Sequence, residues 1–148
     1  SVADARVDAV VAMASDAFLF GPDGLAGIDV PLLAIGGTAD ASAPDAWSSG
    51  WAFAHASSPR AARATLGGAG HMVFTGSCEA VPFLRAIGAG GLCSDPAWRM
   101  DEAHDRIAHL VTAFLRAELA GDPDAADALA QGAVRLGGIE YEARGYPR

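Results

Sequence analysis

The chain has 148 residues, is half apolar and 19% charged, and carries a net charge of -8 with ten Arg and no Lys. That length suits one domain, and the composition excludes a disordered chain or a coiled coil. An acidic chain whose Arg residues are scattered singly presents no basic stripe, which argues against nucleic acid and against an anionic membrane as partner.

No apolar run approaches the ~18–20 residues that cross a bilayer, so no membrane span is expected. The first residues, SVADARVDAV, show neither a basic n-region nor an apolar h-region. A chain that begins at Ser1 rather than Met is consistent with processing, trimming or cleavage from something longer.

In chain order, residues 7–13 (VDAVVAM) form a Val-rich apolar run that suits a buried strand of a parallel sheet. Residues 17–29 hold four glycine or proline positions and read as a loop, in which Phe18, Leu19 and Phe20 either line a pocket or cover a sheet edge. Residues 31–36 (PLLAIG) form a second buried strand with Pro31 at its start. The turn Gly36–Asp40 follows. A helix over 44–56, capped by Ser42 or Asp45, then places Trp47, Trp51 and Ala54 on one face.

Residues 61–66 (AARATL) make a third strand, followed by Gly67-Gly68-Ala69-Gly70-His71. Four small residues let the backbone turn tightly and hold His71 at a strand end. One or two short helices fit residues 77–88, and a loop fits 88–97. The clearest helix spans 98–119, with Ile107, Leu110, Val111, Phe114, Leu115 and Leu119 at helical spacing. Asp95 or Ser94 caps its start and Gly121 closes it. A shorter helix over 123–131 has Asp122 as N-cap, and 137–148 reads as an irregular tail.

Strands alternating with helices argue for one α/β domain with a mainly parallel sheet, in which ligands bind beyond the carboxyl ends of the strands. Asp40 and His71 both fall there, on turns after consecutive strands and 31 residues apart. A buried carboxylate that accepts from one imidazole nitrogen fixes the tautomer and leaves the other nitrogen to take a proton from a nucleophile. Taken singly, Asp40 reads as a turn residue and His71 as structural.

Here the sequence resembles a family. GGTAD and GGAGHMVF look like the last two catalytic turns of an α/β-hydrolase, closest to the dienelactone-hydrolase-like and platelet-activating-factor-acetylhydrolase-like esterases. VDAVVAM matches the strand before the acid strand. HMVFTGSC, a second Cys and a long helix ending AHLVTAFLRAEL match the family's C-terminal layout. The resemblance covers nearly the whole chain but only the second half of the family's fold: its last three parallel strands with flanking helices.

By that resemblance Asp40 is the triad acid and His71 the triad base, of an esterase acting on a carboxylic ester without a cofactor or metal. The family's nucleophile lies in G-x-S-x-G, upstream of these elements, and no G-x-S-x-G occurs in this sequence. None of Ser15, Ser48, Ser49 or Ser77 sits in a tight Gly-flanked elbow, and Ser1 as an N-terminal nucleophile would need a different fold. The expectation is that a second chain or a missing N-terminal segment carries the serine and completes the sheet, and that this chain alone is inactive. The alternatives are a non-catalytic binding or interaction module on a hydrolase scaffold, and an α/β domain in which both residues are structural.

Cys78 and Cys93 have no matching His/Cys cluster for zinc and no neighbour that would activate a thiol, so a disulfide is expected. It would place the protein in a secreted or extracytoplasmic setting, with cytoplasmic residence left open. His104 and His109 lie five apart, off the i, i+4 spacing of a helical metal site, and read as surface or packing residues. His55 ends a helix, where its C-terminal dipole or solvent meets it. Trp47 and Trp51 either pack in the core or line an acyl pocket.

Overall fold

The computed structural model describes residues 4–146. A four-stranded mixed sheet in the order β1-β2-β3-β4 runs through the molecule, with helices on both faces. Strands β1 (Val10–Met13), β2 (Leu32–Gly37) and β3 (Ala61–Leu66) are parallel, and β4 (Ile139–Arg144) runs antiparallel to β3. The α/β class and the three parallel strands agree with the sequence reading. The first strand is shorter than the apolar run that predicts it.

Strand β2 is buried at every position, as a continuous apolar run requires when both faces are covered. Its alternate residues feed two cores. Leu33 and Ile35, with Ala62, Ala64 and Leu66 of β3, pack under α4 (Met100–Leu119) through Ala103, Ile107, Leu110, Phe114 and Ala117. Leu32, Ala34 and Ala61 face the other way, toward Ala52 of α2 (Ser49–His55), Leu25 of α1 (Gly21–Leu25) and Ala17. Alanine at three of the six β3 positions leaves little side chain between sheet and helices, so both layers pack close to the strand.

The helix α4 matches its predicted apolar stripe at Ile107, Leu110 and Phe114, whereas Leu115 and Leu119 are exposed. It ends as expected: Ala120 is the C-cap and Gly121 takes the left-handed φ of +64° that glycine adopts without a Cβ penalty. Asp122 caps α5 (Pro123–Ala128), accepting from the Asp124 and Ala125 amides at 3.0 and 3.1 Å.

Three expectations are corrected. Residues 137–148 are not an irregular tail, because 139–144 form β4; Pro147 and Arg148 lie outside the described residues. Ile139, Tyr141 and Ala143 turn to the α4 core while Glu140 and Glu142 are exposed, the period-two alternation of a half-buried strand. Tyr141 donates its hydroxyl to the Leu129 carbonyl at 2.8 Å. Arg144 points to the opposite face and donates to the Phe53, Ala56 and Ser58 carbonyls, satisfying acceptors at the C-terminal end of α2 and just beyond it.

The single helix expected over 44–56 is instead a 3-10 turn, Asp45–Trp47, then a break at Ser48 (φ −111°, ψ −109°), then α2. Ser49 and the Arg63 guanidinium both engage the Asp45 carboxylate, which tightens that turn. The break also overturns the Trp47–Trp51–Ala54 face. Trp47 is exposed and packs on Phe18 with ring centroids 5.6 Å apart, Ala54 is exposed, and Ala52 is buried in its place. Trp51 is half-buried and meets the His55 ring in a tilted contact, 4.1 Å between centroids.

The third correction concerns caps. Neither Ser42 nor Asp45 caps a helix over 44–56 through its side chain, because no side-chain bond closes either the 3-10 turn or α2 at its start. The segment 17–29 contains a 3-10 turn, Ala17–Phe20, and then α1. Phe20 joins Val10, Ala12, Leu25, Ile28 and Leu32 around an open apolar cavity of about 310 Å³, and both Leu19 and Phe20 remain largely exposed.

Cys78 and Cys93 are disulfide-bonded, with Cα atoms 4.8 Å apart, and the Cys78 amide also donates to the Cys93 carbonyl at 3.0 Å. The bridge closes a 15-residue separation that holds only α3 (Phe83–Ala86) and a 3-10 turn. Lost unfolded-state entropy for such a loop is worth about 3 kcal/mol. The double variant Cys78→Ala/Cys93→Ala should therefore unfold in urea with ΔG lowered by about that amount, and a loss below about 1 kcal/mol would show that the loop is restrained without the bridge.

Among the described residues no helix is long and apolar enough to cross a membrane.

Candidate functional site

Strands β2 and β3 end side by side, and the turns that leave them are hydrogen-bonded together. The Thr38 amide donates to the Leu66 carbonyl and the Ala39 amide to the Ala69 carbonyl, both at 3.0 Å. The Gly68 amide donates back to Thr38 Oγ1 at 2.7 Å. Gly37 is where this docking needs glycine, because a Cβ there would overlap the Ala69 carbonyl. Gly37 of GGTAD thus serves the approach of one backbone to the other.

That docking brings Asp40 to His71. Asp40 Oδ2 lies 2.9 Å from His71 Nδ1. The Asp40 side chain is fully buried, and its other oxygen accepts from the Ser42 and Ala43 amides at 2.9 and 2.7 Å. A buried carboxylate without such partners would be strongly disfavoured; three hydrogen bonds account for this one. A carboxylate only accepts, so the bond assigns the proton to Nδ1 and leaves the Nε2 lone pair available. About a third of the His71 side chain is exposed, and among the described residues no protein group hydrogen-bonds Nε2.

The pair can therefore take a proton at Nε2, with the resulting imidazolium stabilised by Asp40. No Ser, Thr or Cys among the described residues hydrogen-bonds His71, Ser48 and Ser49 are buried, and both cysteines are in the disulfide. Among the described residues no group of three or more His, Cys, Asp or Glu is placed to hold a metal ion.

His71 opens a 3-10 turn, His71–Phe74, whose Val73 is fully buried. Three residues from the segment that leads into and along α4 contact this region. The Trp98 indole N–H donates to the Gly67 carbonyl at 2.9 Å. Asp95 Oδ2 accepts from the Gly70 amide at 2.8 Å. His104 Nε2 donates to the Val73 carbonyl at 3.0 Å.

Sequence reasoning gives Asp95 as a helix cap and His104 as a surface or packing residue. His104 does pack, here against the His71 turn, and His109 is exposed. Asp95 Oδ1 receives the Ala97 and Trp98 amides ahead of the helix, whose own N-cap, Arg99, makes no side-chain capping bond. The link to Gly70 spans 25 residues, and no local pattern announces it.

No protein-family model matches the chain, and no curated protein matches it.

Proposed function

We propose that this chain is the acid- and base-bearing part of a serine hydrolase of the carboxylic-ester type. One observation carries the reading: a fully buried, amide-anchored Asp40 bonded to Nδ1 of a partly exposed His71, both on turns at the carboxyl ends of adjacent parallel strands. In that chemistry His71 Nε2 takes the proton of a serine hydroxyl as it attacks the ester carbonyl. It then delivers that proton to the leaving alcohol, and water repeats the sequence on the acyl-serine. The serine and the oxyanion-binding amides come from a second chain or from a segment preceding this one.

The sheet supports that assignment. β1 is an edge strand, and its alternate residues point away from β2. Because Val10 and Ala14 donate to the Pro31 and Ile35 carbonyls, Val11 and Met13 turn their backbone groups outward. Edge strands are ordinarily guarded by charge, as β4 is by Glu140, Glu142 and Arg144. Val10–Met13 holds no charged residue, and Val7, Met13, Leu19 and Phe20 expose apolar surface nearby. An uncharged, half-buried edge suits a sheet that continues. The disulfide favours an extracytoplasmic setting.

The experiment compares native with denatured mass and labels the native material with a serine-reactive fluorophosphonate. The expected result is a second polypeptide segment that labels stoichiometrically at a G-x-S-x-G serine. A native particle made only of this chain, with no labelled serine, rejects the catalytic assignment and leaves a binding module on the same scaffold.

A further inference from the structure

We infer that Asp95 is a positioning residue for His71, acting through the backbone of Gly70; the inference rests on reading Asp40 and His71 as an acid–base pair. Asp95 uses both oxygens. Oδ1 gathers the Ala97 and Trp98 amides at 2.9 and 3.0 Å, fixing the carboxylate to the segment that leads into α4. Oδ2 then accepts the Gly70 amide at 2.8 Å, immediately before the histidine. One carboxylate thereby ties the peptide that carries His71 to the loop that leads into α4.

The clamp has a second jaw. His104, on the first turns of α4, donates to the Val73 carbonyl at the far side of the same 3-10 turn. The His71 turn is thus held before and after the histidine, by Asp95 from the loop that leads into α4 and by His104 from α4 itself. Glycines at 67, 68 and 70 leave the backbone leading to His71 few intrinsic constraints. Without the Asp95 bond, the Gly70 amide loses its side-chain anchor, and the peptide entering His71 is held only by the Ala69 carbonyl before it and by the Asp40 and Val73 contacts after it. Proton transfer depends on holding Nε2 within a few tenths of an ångström of its partner, so this restraint belongs to the chemistry as well as to the fold.

The substitution Asp95→Asn isolates the effect. Two amides favour the Asn carbonyl at the Oδ1 position, so the turn into α4 stays capped. The side-chain NH2 then faces the Gly70 N–H, donor against donor, and that bond is lost. Asp95→Ser is the second variant: its hydroxyl caps the same amides but is too short to reach Gly70 as well.

The readout is the His71 imidazole in the full chain by 15N and 1H NMR, where the Nδ1–H held by Asp40 gives an exchange-protected resonance. Asp40→Asn defines its loss. Both Asp95 variants should broaden or lose the resonance. Asp122→Asn, which weakens a cap of the same kind at α5, should leave it in place. If Asp40→Asn leaves the His71 spectrum unchanged, the acid–base pair falls and this inference with it. If Asp40→Asn removes the resonance but the Asp95 variants keep it at the wild-type shift and exchange rate, the pair stands and the positioning role is overturned.

Discussion

His71→Ala, introduced into the complete assembly, is expected to lower kcat by a factor on the order of 10⁶, with the fold unaffected. The size of that loss follows from the proposed division of labour. A serine hydroxyl is a weak nucleophile until a base removes its proton, and Nε2 of His71 is the base that this chain offers. Histidine at 71 is about a third exposed, so its removal opens no buried cavity. Asp40→Asn should fall less far, by about 10⁴. The Asn carbonyl can still take the Ser42 and Ala43 amides, so the turn survives. Its NH2 then faces Nδ1, which must become the acceptor, and the proton moves to Nε2, the atom that should receive one. Ester turnover by the three proteins, at equal labelled-serine concentration, decides the matter. A His71→Ala enzyme within tenfold of wild type removes His71 from the chemistry.

The elements that place this pair were legible in the sequence because they are local and strongly patterned. PLLAIG is an uninterrupted apolar run, and AARATL is closed by glycines; both strands appear within one residue of where the sequence puts them. The turns then place Asp40 and His71 on neighbouring strand ends, and the structure brings the two within hydrogen-bond distance. The disulfide was legible for a similar reason: two cysteines with no rival partner.

What was missed depends on contacts remote in sequence. β4 exists because Tyr141 and Ala143 find Ala64 and Ala62 of β3, nearly eighty positions earlier, as the register shows. Ile-Glu-Tyr-Glu-Ala alternates correctly, but one short alternating segment after a run of glycine and loop residues does not announce a partner. The Trp47–Trp51 face failed because helical spacing assumes an unbroken helix, and Arg63 on the next strand draws Asp45 out of one. Asp95 failed differently. It does not cap α4, whose N-cap is Arg99; one oxygen takes the Ala97 and Trp98 amides ahead of the helix and the other serves Gly70.

Phe114→Ala should destabilise the chain by about 3–5 kcal/mol, the cost of deleting a fully enclosed aromatic ring and leaving a cavity. Phe114 is 0% exposed and sits mid-way along the apolar stripe of α4, in the cluster that joins Leu33 and Ile35 of β2 to the α4 face. A domain of this size has roughly 5–15 kcal/mol in total, and the alanine-rich β3 and uncharged, unpaired edge of β1 argue for the lower part of that range. The variant should therefore stand near its unfolding midpoint at room temperature. Urea melts should show a lower midpoint with an unchanged slope, since the surface exposed on unfolding is the same. A companion segment that continues the sheet beyond β1 would restore part of the loss by mass action, because it binds the folded state alone. A midpoint shift worth less than about 1 kcal/mol would mean that α4 does not close the core over β2 and β3 as described, and the support that α4 gives to the His71 turn would go with it.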